Sequence, residues 1–442
     1  MITIDAFKTM LSTCLGFEQT DSLKPSVWTR VFRHRKNGVL DCELSVDFEK
    51  QRFGYEEAGI DVGGGTTVSF APDSAGKVQN ENFVVFECVV RLLEKGYKAC
   101  DIFLEKRHTL GHTQKSGRLD ITVAKDGHAY LIIECKTAGT GFKKARKELF
   151  SDPEGKQLFS YWAQSRAAKW LLLYASDYDQ SNNAIVIEEE IIRSHDDKNV
   201  ELLAATDTAI ALYKTASEAT DAWRVWDETY HKETYKNLIF GRNDVAYNIG
   251  IHPLVKHNLR RFTQEDGFTN TFREILRHNA ISDKENAFNK LLSLFICKFV
   301  DEDRCSDQEI VSFQYKDGED DYYSLYERLL ALFQIGMKDY LKEEVFYLEN
   351  DYISKTLDSF TGKKRKALEA ELRDKFQKTK MLSCQVFAFR EVYNEALFLQ
   401  NGKVLVEIVK LMQQYQFAYS SKEQLLGDLW LFVHDCGYLF AA

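Results

Sequence analysis

Asp120, Glu134 and Lys136 lie in the stretch GRLDITVAKDGHAYLIIECKTAG, which begins at Gly117. Glu and Lys are poor strand residues, yet they close the otherwise apolar run YLIIECK. Burying either charge costs free energy unless a partner compensates. Two carboxylates and one amine on one strand face suit phosphodiester chemistry. The acids offer hard oxygen ligands to Mg²⁺, which takes one or two protein carboxylates and keeps several waters. Such an ion polarises a phosphodiester and helps make a hydroxide nucleophile. The amine can stabilise the pentavalent charge or orient the attacking water.

Whether the acids meet depends on the hairpin turn KDG. A two-residue Asp126-Gly127 loop pairs Asp120 with Ile133 and sends Glu134 to the opposite face. A three-residue Lys125-Asp126-Gly127 loop pairs Asp120 with Ile132, so that Glu134 and Lys136 share its face. Gly at the third loop position is what a type I turn with a left-handed bulge requires, and this loop is the expectation. It leaves roughly 7 Å between the diagonally placed acids. The competing reading is an ion network at a strand edge with no chemistry.

The surrounding pattern indicates the elements that hold these groups. NENFVVFECVVRLLEKGYK has helical periodicity and a C-capping glycine at Gly96. DIFLEKRH, LDITVA and AYLIIECK read as strands, SDPEGKQLFSYWAQSRAAK as a helix entered at Pro153, and WLLLYAS and AIVIEEE as two more strands. DVGGGTTVSFAP reads as a turn leading into a strand. This alternation predicts an α/β domain over 1–215 and a connector over 216–249. Long amphipathic segments, among them NAFNKLLSLFICKFVDED and NGKVLVEIVKLMQQYQFAYSS, predict an all-α domain over 250–442.

Asp120 followed after a hairpin by Glu134-Cys135-Lys136 resembles the PD-(D/E)xK nuclease core, with the leading Pro-Asp relaxed to Leu119-Asp120. Gln157 and Tyr161 in QLFSY match the QxxxY helix motif of the nuclease domains of type I restriction subunits and fused restriction–modification enzymes of the type IIG-like class. Glu87, followed by Arg91, fits that family's upstream acidic position. The resemblance covers roughly residues 40 to 210. It implies a restriction-endonuclease-like fold, a mixed central sheet flanked by helices. It also implies Mg²⁺, replaceable by Mn²⁺, on Asp120, Glu134 and the Cys135 carbonyl, with Lys136 catalytic. Glu87 is implied as support for a second ion, and Gln157 and Tyr161 as ordering the site or contacting DNA.

The segments from Ala287 to Asp303 and from Glu423 to Leu429 are similar to the helical N-terminal region of type I-like N6-adenine DNA methyltransferases. Four isolated prolines leave no Asn/Asp-Pro-Pro-Tyr/Phe motif, and no glycine-rich methyl-donor loop is evident. The chain is therefore expected to stop short of a methylase catalytic domain, and methyl transfer is not expected from it.

Other features bound the partners. The net charge of −9 offers no global attraction to a polyanion, so nucleic-acid contacts must come from local basic patches. Lys143, Lys144, Arg146 and Lys147 directly follow the acidic strand and are placed to meet DNA phosphates, or else form a solvated helix start. GKKRKALEAELRDKFQKTK reads as a solvated, charge-paired helix. His108 and His112 have metal-ligand spacing but no third ligand. GGGTT at Gly63 lacks the lysine of a phosphate loop, so ATP binding and hydrolysis are not expected. Nine cysteines without a CxxC pair point to a reducing cytoplasm. No basic leader or long apolar run suggests export or a membrane. The expected partners are double-stranded DNA and a methyltransferase or specificity module. The expected activity is Mg²⁺-dependent endonucleolytic cleavage, and the rival is an inert DNA-binding or assembly scaffold.

Overall fold

The computed structural model describes residues 2–20, 26–33, 40–76, 78–106, 118–151, 156–241, 244–250, 253–261, 267–345, 357 and 362–418. His108, His112 and the segment from Glu423 to Leu429 lie outside them. The chain divides into two compact units, one of residues 1–200 and 208–250, the other of 201–207 and 251–442. The first is mixed α/β with sheets flanked by helices; the second is predominantly helical.

The first unit begins with α1 (Ile4–Thr13), capped by Thr3, whose hydroxyl accepts from Ala6 N. A four-stranded antiparallel sheet follows: β1 (Glu18–Gln19), β2 (Val27–Arg33), β3 (Leu40–Asp47) and β4 (Arg52–Phe53). The stretch after Gly63–Gly65, expected to enter a strand, makes one isolated bridge from Ser69 to Arg52. Helix α2 (Glu81–Lys95) buries almost its whole length. It ends where Gly96 turns left-handed at φ 98° and donates to Leu92 O and Leu93 O.

A five-stranded sheet carries the acids. Its strands are β5 (Ile102–Lys106), β6 (Leu119–Lys125), β7 (His128–Cys135), β8 (Trp170–Asp179) and β9 (Ala184–Arg193), in that spatial order. Only β7 and β8 run parallel. Their crossover contains α3 (Thr140–Ser151) and α4 (Lys156–Gln164). Central strand β7 is apolar because both faces are covered. Leu131, Ile133 and Cys135 join α2 in one core, while Ile132 joins Phe142, Leu158 and Phe159 of α3 and α4 in another.

The β6–β7 hairpin differs from its expected form. Lys125 pairs with His128, so the loop is the two-residue Asp126-Gly127, both at positive φ (52° and 78°). Two left-handed central residues make the turn whose twist matches the strands, and Asp-Gly supplies them. That loop alone would send the acids to opposite faces. A bulge reverses this outcome: Ala124 pairs with Ala129 but Val123 pairs with Leu131, leaving Tyr130 as an extra residue on β7. The ladder then runs to Ile121 opposite Ile133, so Asp120 and Glu134 are the next residues along and share a face.

The segment 216–249, expected as a connector, is instead built into the first unit. Helix α5 (Lys198–Thr206) precedes it, and α6 (Ala219–Arg224) with the π-helical turn after it (Val225–Thr229) brings Trp223 and Trp226 into the α3–α4 core. Trp226 is 1% exposed and packs on Phe150 and Phe159, with its indole donating to Glu233 O at 2.8 Å. Further on, Ile191 of β9 and Tyr235 exchange both main-chain hydrogen bonds. Trp226→Ala is therefore expected to destabilise the protein by about 3–5 kcal/mol. A chemical-denaturation midpoint within error of the parent would show that the segment is an appendage.

The second unit packs α7 (Phe268–His278), α8 (Lys284–Arg304), α9 (Tyr322–Gly336) and α11 (Glu395–Gln413) around one apolar core, with α10 (Gly362–Ser383) leading into its Cys384–Phe387 turn. Strands β10 (Arg260–Arg261) and β11 (Tyr415–Gln416) pair in parallel. Helices α9 and α11 approach so closely that a Cβ on Gly402 would lie 2.5 Å from the Tyr322 ring. On α10 Lys375 pairs with Glu371 one turn away at 2.7 Å, with both side chains exposed. Lys298 and Glu302 form a fully buried pair at 3.0 Å, and the Glu302 carboxylate accepts from Phe417 N and Ala418 N. Among the described residues no helix is long and apolar enough to cross a membrane.

Candidate active site

Asp120 and Glu134 meet at the end of the β6–β7 ribbon, where β7 gives way to Lys136. The half-buried Asp120 accepts at Oδ2 from Cys135 N at 2.7 Å, which ties the two strands together at the acids. Glu134 is 3% exposed. The Lys136 ammonium donates to Glu134 Oε1, to the Cys135 carbonyl at 2.9 Å and to Glu81 Oε1 at 2.9 Å. Glu134 Oε2 is buried without a hydrogen-bond partner. Three carboxylates thus surround one ammonium, so two negative charges formally lack a counter-charge.

Burial shapes the protonation of these groups. It raises the Asp120 carboxyl well above the ordinary carboxylate range, and the neighbouring Glu134 charge adds to the effect. Burial likewise pushes Glu134 up to about 7, against the opposing pull of Lys136. Burial alone would lower the Lys136 ammonium, but Glu134, Asp120 and Glu81 outweigh it and hold the amine protonated.

An acid with a folded-state pKa above its ordinary value stabilises the fold only while protonated. The contribution of Glu134 is therefore full below its ordinary 4.5 and lost as pH rises through about 7. Without divalent cation, the melting temperature is expected to fall across that window, and Glu134→Gln to flatten the fall. A flat parent profile by circular dichroism would contradict this environment for Glu134.

The other expected residues divide between two places. Tyr161 on α4 is buried and donates to Arg118 O at 2.8 Å. That contact pins the start of the strand carrying Asp120. Gln157 is exposed and lines a small pocket with Glu134, Glu148 and Leu173. Glu87 stands elsewhere. It is 0% exposed, paired with Arg91 one turn along α2, and accepts from the Tyr174 hydroxyl at 2.7 Å. The acid of α2 that meets Lys136 is Glu81, in the first turn of the helix, which sequence reading missed. Its signal was available, since an acid at a helix start is favoured by the helix dipole and is free to reach outward.

Lys143, Lys144, Arg146 and Lys147 are all exposed on α3. Arg146 is bound through Nε to Glu190 of β9. Among the described residues no group of three or more His, Cys, Asp or Glu side chains is gathered to hold a metal ion. The expected ligand set needs two carboxylates and a main-chain carbonyl. Two of its oxygens, Glu134 Oε1 and Cys135 O, hold the Lys136 ammonium. Compared with known proteins, the chain matches no family model and no curated protein significantly. The likeness to the nuclease family thus rests on these residues and their placement.

Proposed function

We propose that the first unit is a restriction-endonuclease-like nuclease domain that hydrolyses DNA phosphodiester bonds with Mg²⁺, or Mn²⁺ in its place. The observation that carries this reading is Asp120 and Glu134 on one strand face, with the Lys136 ammonium on Glu134 and Glu134 Oε2 unpartnered. These residues fit a divalent cation, because a buried, hydrogen-bond-orphaned carboxylate oxygen beside a second acid whose ionised form is disfavoured is what such an ion relieves. Asp120, Glu134 and the Cys135 carbonyl would hold it. Bound there, the ion supplies Lewis-acid polarisation of the phosphodiester and acidifies water.

The chain's own groups do the rest. Lys136, steered by Glu81 and Glu134, presents a fixed positive charge for the phosphorane-like transition state. Tyr161 keeps Arg118, and with it Asp120, in place, while Gln157 stands at the mouth to position a phosphate. The second unit is read as the helical region that docks a methyltransferase or specificity module, with α8 spanning the stretch from Ala287 to Asp303. Cleavage by this chain is expected to show little sequence preference.

Calorimetric titration with Mg²⁺ or Mn²⁺ tests the assignment. Uptake should occur near one equivalent and vanish in Asp120→Ala; uptake unchanged in that variant rejects the site. One observation favours the scaffold reading: Lys136 is fully engaged by Glu81, Glu134 and Cys135 O, as in a static ion network. Metal uptake accompanied by plasmid nicking excludes that alternative.

A further inference from the structure

A second groove lies on the other side of α3, at the edge strand of the sheet. Its lining includes Phe142, Lys143 and Arg146 of α3, Glu190 of β9, and Lys236 and Asn237. Glu190 is 2% exposed and organises the cations above it. Its Oε1 binds both the Arg146 Nε and the Lys236 ammonium, the latter at 2.9 Å. Those two cations are about half exposed, with side-chain exposures of 50% and 53%. The negative charge therefore lies on the floor and the positive charge at the opening.

Arg146 spends only its Nε–H on Glu190 and rests over the Phe150 ring at 4.9 Å. A guanidinium carries five N–H donors in a rigid fork, so four remain on its terminal nitrogens. Among the described residues no acceptor engages them. Lys143 is exposed and likewise unengaged among the described residues. An arginine oriented by a buried carboxylate and an unspent lysine beside it suit a tetrahedral dianion or a phosphodiester. Glu188 and Glu189 also line the groove, and each accepts a main-chain N–H, Glu188 from Gly139 and Glu189 from Asn237.

We propose that this groove seats a backbone phosphate of duplex DNA away from the cleavage centre, gripped by the Arg146 fork and Lys143, with Lys236 and the buried Glu190 fixing the geometry. The site deepens the nuclease reading, because α3 carries the groove on one face and lines the Glu134 pocket with Ala145 and Leu149 on the other. A duplex held there would be anchored on the same helix that walls the acids. Lys144 and Lys147 do not line the groove.

The test is equilibrium binding of a fluorescent 20-base-pair duplex to the full chain without divalent cation, over a range of salt. Lys143→Ala/Arg146→Ala should weaken binding about ten-fold or more and reduce the slope of log Kd against log salt by about two, one for each phosphate-neutralising cation removed. Arg146→Lys, which keeps the charge but loses the fork, should recover only part of the affinity. Lys144→Ala/Lys147→Ala removes the same charge outside the groove and should cost clearly less. Equal losses in the two double variants would reduce the groove to diffuse electrostatics and overturn it. Unchanged binding in Lys143→Ala/Arg146→Ala, with parental melting temperature, overturns it outright. Competition by inorganic phosphate as effective as by duplex would assign the seat to a free anion instead, against the proposal. Because the assay contains no metal, failure of the cleavage reading would appear separately, as binding intact and nicking absent.

Discussion

Lys136→Ala is expected to lower Mg²⁺-dependent nicking of supercoiled plasmid by roughly a hundred- to a thousand-fold, the usual consequence of deleting one preorganised charge from a transition state. The ammonium is held on three oxygens, so its charge is already fixed in place before substrate arrives. Metal uptake should survive the change, since Asp120 and Glu134 remain, and should even strengthen once a competing cation has left Glu134. This combination separates chemistry from binding. A single-turnover rate within a few-fold of the parent would show that the amine serves only to neutralise its neighbours. Loss of metal uptake in the same variant would show that it shapes the acids rather than the reaction.

Glu87→Ala is expected to destabilise the chain by about 3–5 kcal/mol, because it strands Arg91 and removes the acceptor of a buried tyrosine. Glu81→Ala removes a partner whose side chain is 37% exposed and should cost within about 1 kcal/mol while reducing cleavage. Urea midpoints and nicking rates on both variants cross-check the two acids. A Glu87→Ala protein that is stable yet inactive would return Glu87 to the site and remove it from the scaffold. Both acids share α2, and their spacing along it sets their fates. Glu87 lies mid-helix and fully buried, whereas Glu81, the first residue of the helix, is partly exposed.

Much of the fold was written in local patterns. The periodicity of α2, its glycine stop, the apolar run of β7 and the long amphipathic stretches from α8 to α11 each specify an element through its own residues. The shared face of the two acids was anticipated, but by another route. The Asp-Gly dipeptide chose the shorter turn, and the extra residue at Tyr130 restored the face. Nothing in a continuous apolar run marks which residue will bulge, because that choice follows from packing on both sides of the sheet. Glu87, followed by Arg91 at helical spacing, fitted the upstream acidic position by resemblance, yet that pair closes on itself in the core. The segment 216–249 looked like a connector because it has few regular elements. Its tryptophans had already signalled burial, since such side chains are seldom left in water.

The paired main-chain bonds between Ile191 and Tyr235 bear on solubility. β9 ends the sheet, so its outer row of amides and carbonyls offers a template to any extended peptide, including the same strand of another molecule. One turn of chain laid along that row blunts the template over part of its length. Fragments cut before residue 230 would present it bare. They are expected to precipitate through strand-to-strand stacking even where their helices and sheet remain folded.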